Sequence, residues 1–295
     1  TEKERSKKEF DTDILDSLEW LGIAADESPR TGGEYGPYRQ SERTETHTRF
    51  LIRLLDMENA FYCFHSQGEL AEEREARKKG KKSPIHVCDY RNESKEEQNV
   101  HLRSRKTHVI RFKTPAGREV VFRDHIRGEV KFQSDELGDF SIAKEITEPL
   151  YNFAAAIDDS LMHISHVIRG EDHISNTPKQ ILILEALGLS LPEYAHLPLL
   201  LAPDRSKLSK RHGATSVSEY KKDFLPEALF NFLALLGWNP GGDQEIFSKN
   251  ELMGAFSLEK VQKSGAIFDI QKLEWMNGEY IRTKSPTELT EICLP

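Results

Sequence analysis

Between residues 167 and 201 the chain runs apolar stretch, polar loop, helix, apolar stretch, and few folds accept that order. Val167-Ile168 leads into Arg169-Gly170-Glu171-Asp172-His173. Asn176-Thr177-Pro178 then offers a cap and a first-turn proline for a helix whose Ile181, Leu184 and Leu187 share one face. Residues 197–201 read as the next strand. Strand, crossover helix and strand make a βαβ unit, so the fold class is α/β. In open α/β sheets ligands sit beyond the carboxyl ends of the strands. The loop at 169–173 and the loop after Leu201 are therefore expected to face one site.

The second of those loops carries Lys207-Leu208-Ser209-Lys210-Arg211. A charge run is most often only solvated. Placed at a strand end, however, two ammonium groups and a serine can stand beside a triphosphate while chemistry occurs.

The flanks are simpler to read. Residues 6–21 carry Phe10, Ile14, Leu18 and Leu21 at helical spacing, with Gly22 as a stop. Residues 35–43 interleave aromatics with Arg39 and Arg43 ahead of a helix bearing Phe50, Leu51, Leu54 and Leu55, a pattern able to stack on bases and grip phosphates. A charged helix over 68–80 ends in a basic cluster that includes Lys78 and Lys79, the best electrostatic candidate for an RNA contact. Short alternating runs at 109–112, 119–122 and 129–132, separated by turn residues, read as antiparallel strands of an inserted β-rich domain. Residues 151–157 and 161–168 read as strands joined at Asp158-Asp159-Ser160. After Pro226 the chain reads as helical, with a stripe of Leu229, Phe232, Leu233 and Leu236 and further helices over 249–256, 258–264 and 271–276.

Bulk properties exclude some classes. The 295 residues carry a formal charge of -8 and 37% hydrophobic content, which suits a folded protein of two or more domains and excludes disorder throughout. No apolar run has bilayer-spanning length, so no membrane partner is expected. The three cysteines, Cys63, Cys88 and Cys293, do not resemble a disulfide framework, and a reducing, cytoplasmic setting is expected.

Seven ordered stretches resemble one family, the bacterial-type glutamyl-tRNA synthetases, which are class I aminoacyl-tRNA synthetases. They include GPYRQSER (36–43), VIRFKTPAGREVV (109–121), VIRGEDHISNTPKQ (167–180), KLSKRHGATSV (207–217) and LPEALFNFLALLGWNPGGDQEIF (225–247), together with 128–140 and 268–282. The resemblance implies a Rossmann-like class I synthetase catalytic domain with an inserted β-rich acceptor-binding domain, followed by an α-helical stem-contact domain. The corresponding spans are 1–60 and 149–220 for the catalytic halves, 61–148 for the insertion and 221–295 for the helical domain. It further implies ATP-dependent attachment of L-glutamate to tRNA through a glutamyl-adenylate, with Mg2+ accompanying ATP.

In this reading residues 207–211 stand as the KMSKS-type loop and bind ATP. Lys210, assisted by Lys207, would stabilise the charge that grows on pyrophosphate. Arg169 and Tyr151 look like the substrate-glutamate contacts, with Asp159 and His173 as weaker candidates. An arginine paired with Glu171 or Asp172 is the structural alternative. Arg39, Arg43, Lys78 and Lys79 are the tRNA candidates.

The sequence also departs from the family. The HIGH motif, the acidic stretch after it and the anticodon-binding domain are not among these residues, so this polypeptide alone is expected to form no glutamyl-adenylate. Some relatives hold zinc in the insertion through a Cys-x-Cys pair and a distant Cys-x-His pair. Here Cys63, His65 and Cys88 offer three ligands with Tyr90 in place of a fourth, so ordinary buried cysteines, and no metal, are expected. The alternatives are a paralogue that glutamylates a modified tRNA base, and a noncatalytic RNA-binding module of the same fold.

Overall fold

The computed structural model describes residues 8–81, 85–104, 107–209, 211 and 216–293. Two helices, α1 (Lys8–Trp20) and α2 (Thr44–Asp56), precede β1 (Ala60–Cys63), α3 (Gln67–Lys79) and α4 (Lys95–Arg103). There follow β2 (Val109–Phe112), β3 (Glu119–Asp124), β4 (Gly128–Gln133), α5 (Ser134–Leu137), β5 (Ser141–Glu145) and β6 (Glu148–Pro149). The crossover region comprises α6 (Tyr151–Leu161), β7 (His166–Gly170), α7 (Thr177–Leu187), β8 (Glu193–Leu197) and β9 (Leu200–Leu201). Beyond it lie α8 (Val217–Tyr220), α9 (Pro226–Leu235), α10 (Lys249–Ala255), β10 (Ala266–Ile267), α11 (Ile270–Thr283) and α12 (Pro286–Cys293).

β7 and β8 pair in parallel across α7, as the βαβ reading requires, and β3 lies parallel on the other side of β8. The sheet order is β4-β3-β8-β7, while β1-β2-β5-β6 form a second, antiparallel sheet. Residues 61–148 thus contribute strands to both sheets. One apolar core continues through them, joining Leu51 and Leu54 of α2, Ile110 of β2, Phe153 of α6 and Ile183 of α7. A second cluster, with Leu229, Phe232, Leu273 and Met276, holds the helical region together.

Five expectations are corrected. Residues 151–161 form α6 rather than a strand, because Phe153, Ala154, Ala156, Ile157 and Ser160 bury one helical face and the alanines favour helix. The strand before the crossover is consequently shorter and later, at β7. The strand expected at 197–201 divides into β8 and β9 around Pro198, whose nitrogen has no hydrogen to give a ladder. Residues 258–264 form only a 3-10 turn at Leu258–Lys260 before β10. Finally, Asn176 caps nothing with its side chain, which turns to His173 Nδ1 at 3.1 Å. Pro178 does occupy the first turn of α7, and Gly188 closes that helix at φ 65°, where a side chain would be strained.

Candidate active site and metal centre

β7 delivers Arg169 at its carboxyl end, and register sets its neighbour. Arg169 lies opposite His196 of β8 in the parallel ladder, so the two side chains share a face. Arg169 Nε donates to His196 Nε2 at 3.2 Å, and Nη1 donates to the Tyr151 hydroxyl at 3.2 Å. Nη2 donates to Thr177 Oγ1 at 2.8 Å and to Gln180 Oε1 at 2.9 Å, both from the first turn of α7. All four acceptors are uncharged. Glu171 is taken by Arg127 and Asp172 by Lys207, so the structural alternative for Arg169 does not occur. Among the described residues Arg169 makes no salt bridge, which leaves its charge available to a ligand.

Behind it lies a support that sequence reading missed. β3 alternates strictly between exposed and buried, and its phase turns Asp124 inward. Asp124 Oδ2 accepts from Nδ1 of the fully buried His196 at 2.6 Å, while Oδ1 accepts from the amides of Ile126 (2.9 Å) and Arg127 (2.8 Å). Burial lowers the pKa of His196, and the charges of Arg169 and Arg127 add to the effect against Asp124. Burial would raise Asp124, but its hydrogen bonds from Arg127, His196 and Ile126 outweigh that and hold it below the ordinary carboxylate value. Asp159 of α6 stands nearby, pushed up to about 6 by burial, with Arg169 opposing and Asp158 reinforcing the shift.

The two polar loops meet. Lys207 Nζ is 2.7 Å from Asp172 Oδ2, and a cleft of about 720 Å3 opens between Gly170 and Asp172 on one side and Lys207, Leu208 and Ser209 on the other. A Cβ on Gly170 would stand 2.7 Å from Asp172 Oδ1, so a larger residue there would make that carboxylate shift. Pairing of Leu201 with Lys207, and the Leu208 amide donating to Leu200 O at 2.9 Å, tie the start of the lysine loop to β9. Arg211 is exposed, and Lys210 lies outside the described residues.

The tRNA candidates divide. Lys78 and Lys79 are exposed at the end of α3. Arg39 is partly exposed and pairs with Asp11 at 2.7 Å and Glu42 at 3.4 Å. Arg43, by contrast, is buried: its Nε bonds Asp158 Oδ1 at 2.6 Å, and His47 Nε2 reaches the same oxygen at 2.8 Å. Its guanidinium is committed to holding α6 against the 3-10 turn before α2, which removes it from the surface that a phosphate could reach.

A second constellation lies at β1. Cys63, His65, His86 and Cys88 place one donor atom each within 4.8 Å of one another. The sequence reading found three of these and tested Tyr90 for the last place. The missing donor is His86, so the second pair is His86-Val87-Cys88, and Tyr90 instead packs on Phe64 and His65. Cys88 draws the Cys63 thiol well below its usual value, helped by His86 and Arg111 and opposed by burial, while the same pairing and burial push Cys88 up. Both thiols face the two imidazoles, where a divalent cation can replace their protons. Both imidazoles also have carboxylates at the other ring nitrogen: Glu73 bonds His86 Nδ1, and Asp89 lies 3.9 Å from His65 Nε2. Two sulfurs, two nitrogens and such outer carboxylates are the donor chemistry of a structural zinc site, so the residues present fit that ion.

The α/β sheet, with its charged loop at a parallel strand's carboxyl end and its lysine loop across a cleft, has the fold of the class I synthetase catalytic domain. Residues 1–275 match the family model described as tRNA synthetases class I (E and Q), catalytic domain, and the chain belongs to that family. It is 49% identical over 296 aligned residues to the glutamate–tRNA ligase of Carboxydothermus hydrogenoformans, covering 100% of this chain and 62% of the relative. With the glutamate–tRNA ligase of a Sulfurihydrogenibium species it shares 50% over 283 residues, 96% of this chain and 59% of that one. A crystal structure of glutamate-tRNA synthetase from Elizabethkingia anophelis superposes with a TM-score of 0.89 at 34% identity, covering 99% of this chain and 64% of that one. That of a glutamate tRNA ligase from Elizabethkingia meningosepticum, in complex with its amino acid, gives 0.87 at 35% identity over 96% and 62%. The chain thus spans about three fifths of the length of the curated relatives it matches. Among the described residues no helix is long and apolar enough to cross a membrane.

Proposed function

We propose that this chain supplies the glutamate-recognising and phosphate-binding part of a glutamate–tRNA ligase of the cytoplasm, which joins L-glutamate to tRNA through a glutamyl-adenylate. The observation that carries this reading is Arg169, whose guanidinium is fixed by four neutral acceptors and, among the described residues, makes no salt bridge. A fixed cation with no anion in its own shell prefers a substrate carboxylate over the neutral amide of glutamine. Tyr151, on the outer side of Arg169, would orient that carboxylate. ATP and its Mg2+ would occupy the cleft beside Lys207, Leu208, Ser209, Lys210 and Arg211. Those ammonium groups act on charge that appears only as pyrophosphate leaves.

Arg39, Lys78 and Lys79 remain as tRNA contacts in this proposal, and Arg43 does not. Cys63, His65, His86 and Cys88 would hold one zinc ion, which supplies a structural cross-link between β1 and the segment before α4 rather than reaction chemistry.

The test is glutamate-dependent ATP–pyrophosphate exchange by the protein carrying this sequence, with and without Arg169→Ala. The variant is expected to raise KM for glutamate by about a hundredfold, the worth of a charged bidentate contact, and to leave KM for ATP nearly unchanged. Equal losses in both constants would reduce Arg169 to a structural residue.

A further inference from the structure

The sheet carries a second cluster of donors away from the cleft. His125 follows β3, His166 opens β7 and Glu193 opens β8. Their meeting follows from backbone register rather than from chance side-chain reach. His166 and Glu193 are direct partners in the parallel ladder, and the Glu193 amide donates to Ser165 O at 2.8 Å. On the other side of β8 the His125 amide donates to Tyr194 O at 2.9 Å, holding the residue after β3 at the same level. Three adjacent strands thus each place one donor residue at one end of the sheet.

The side chains converge accordingly. Glu193 Oε2 is 2.6 Å from His125 Nε2 and 3.8 Å from His166 Nε2, and the three donor atoms lie within 4.8 Å of one another. The opposite ring nitrogen of His166 lies 3.0 Å from Ser165 Oγ. With Nδ1 giving its proton to that oxygen, Nε2 keeps its lone pair for a ligand. Solvent reaches the cluster, with side-chain exposures of 27% for His125, 40% for His166 and 62% for Glu193.

This is not the substrate site. Side chains alternate along a strand, so His166 and Glu193 face the opposite side of the sheet from Arg169 and His196. They also stand at the amino ends of β7 and β8, about 10 Å of strand away from the carboxyl ends that carry the charged loop. Nor is it the thiolate cluster, with which it shares no residue.

Two imidazoles and one carboxylate, presented from one side and open to water, form a three-donor set that leaves coordination positions for solvent. We propose that His125, His166 and Glu193 bind a borderline divalent cation of the zinc class at a second, solvent-open site that clips the turn after β3 to the β7–β8 edge. In the absence of the ion, Glu193 accepts a hydrogen bond from His125 Nε2 and stands 3.8 Å from His166 Nε2. The ion displaces the His125–Glu193 bond and takes one oxygen and two nitrogens. Because water completes its shell, this site is weaker than the thiolate centre and loads only when the ion is supplied.

The test uses the full chain with Cys63→Ser and Cys88→Ser, which removes the thiolate centre, titrated with Zn2+ alone by calorimetry. One equivalent is expected to bind saturably. Adding either His166→Ala or Glu193→Gln is expected to weaken it by about tenfold or more. No saturable binding, or binding indifferent to both substitutions, would overturn the proposal. Should the double serine variant fail to fold, wild-type protein is titrated with Co2+ and followed by absorption. A second equivalent lacking thiolate charge-transfer intensity, and lost in His166→Ala, supports the site. Saturation at a single thiolate-bound equivalent overturns it.

Discussion

Arg169 Nε donates to His196 Nε2 across 3.2 Å, and this one contact sets the tautomer of the imidazole. A guanidinium has only donors, so His196 Nε2 must be the unprotonated nitrogen and Nδ1 must carry its proton to Asp124. The imidazole is therefore neutral in the assembled site, as its lowered pKa requires. Protonating it would set two cations against each other and evict the arginine.

A pH dependence of stability follows. In the unfolded chain a histidine titrates near ~6.5, whereas folded His196 titrates lower. Below that ordinary value the unfolded state takes up a proton that the folded state does not, so stability is full above it and declines as pH falls. The urea midpoint is expected to drop between about pH 7.5 and about pH 5.5, and His196→Gln should flatten that slope. An unchanged slope in the variant would assign the effect to other histidines.

Asp159 offers a direct electrostatic probe of Arg169. Its pKa of about 6 is already held down by the arginine, against burial. Arg169→Ala is expected to move it further up, read from the carboxyl carbon resonance across a pH titration. No movement would mean that the arginine's charge is screened from α6. Because the folded value lies above the ordinary carboxylate value, Asp159 lowers stability as pH rises from about 4 toward its folded pKa.

Arg43 should behave as a structural residue. Removing it leaves Asp158 buried with only His47 and Gln40 beside it. Arg43→Ala is expected to cost about 3–5 kcal/mol in urea unfolding. A loss below about 1 kcal/mol, accompanied by weaker tRNA binding, would restore it to the RNA face.

Lys207 should show the opposite profile. Its bond to Asp172 is exposed on both sides, and such pairs contribute less than about 1 kcal/mol. Lys207→Ala is thus expected to leave the urea midpoint nearly unchanged while weakening ATP binding, measured by calorimetry. A large stability loss with intact ATP affinity would make the lysine a loop anchor instead.

Metal content tests the thiolate centre. Protein purified without chelator is expected to carry zinc that Cys63→Ser loses, by elemental analysis. Glu73→Gln should keep the ligands but weaken zinc affinity by about tenfold, because the carboxylate orients His86. Zinc content unaltered in Cys63→Ser would place the ion elsewhere.

Local pattern was enough for the parallel crossover, the helix within it with its first-turn proline, the β-strands of 109–133 and the two polar loops. Each rests on periodicity or on a backbone preference that operates within a few residues. The alanine-rich stretch from Tyr151 was legible in principle, since its buried positions follow a helical period.

The support of the site was decided in three dimensions. His196, Thr177 and Gln180 reach Arg169, and Asp124 reaches His196, only because β3, β8 and α7 are stacked in one order. His86 completes a metal set, and Arg43 leaves the surface, for the same reason. Chain-local signals report which backbone a segment prefers. Which polar group is buried beside which other one is a property of strand register and helix packing, and it exists only once the core has closed.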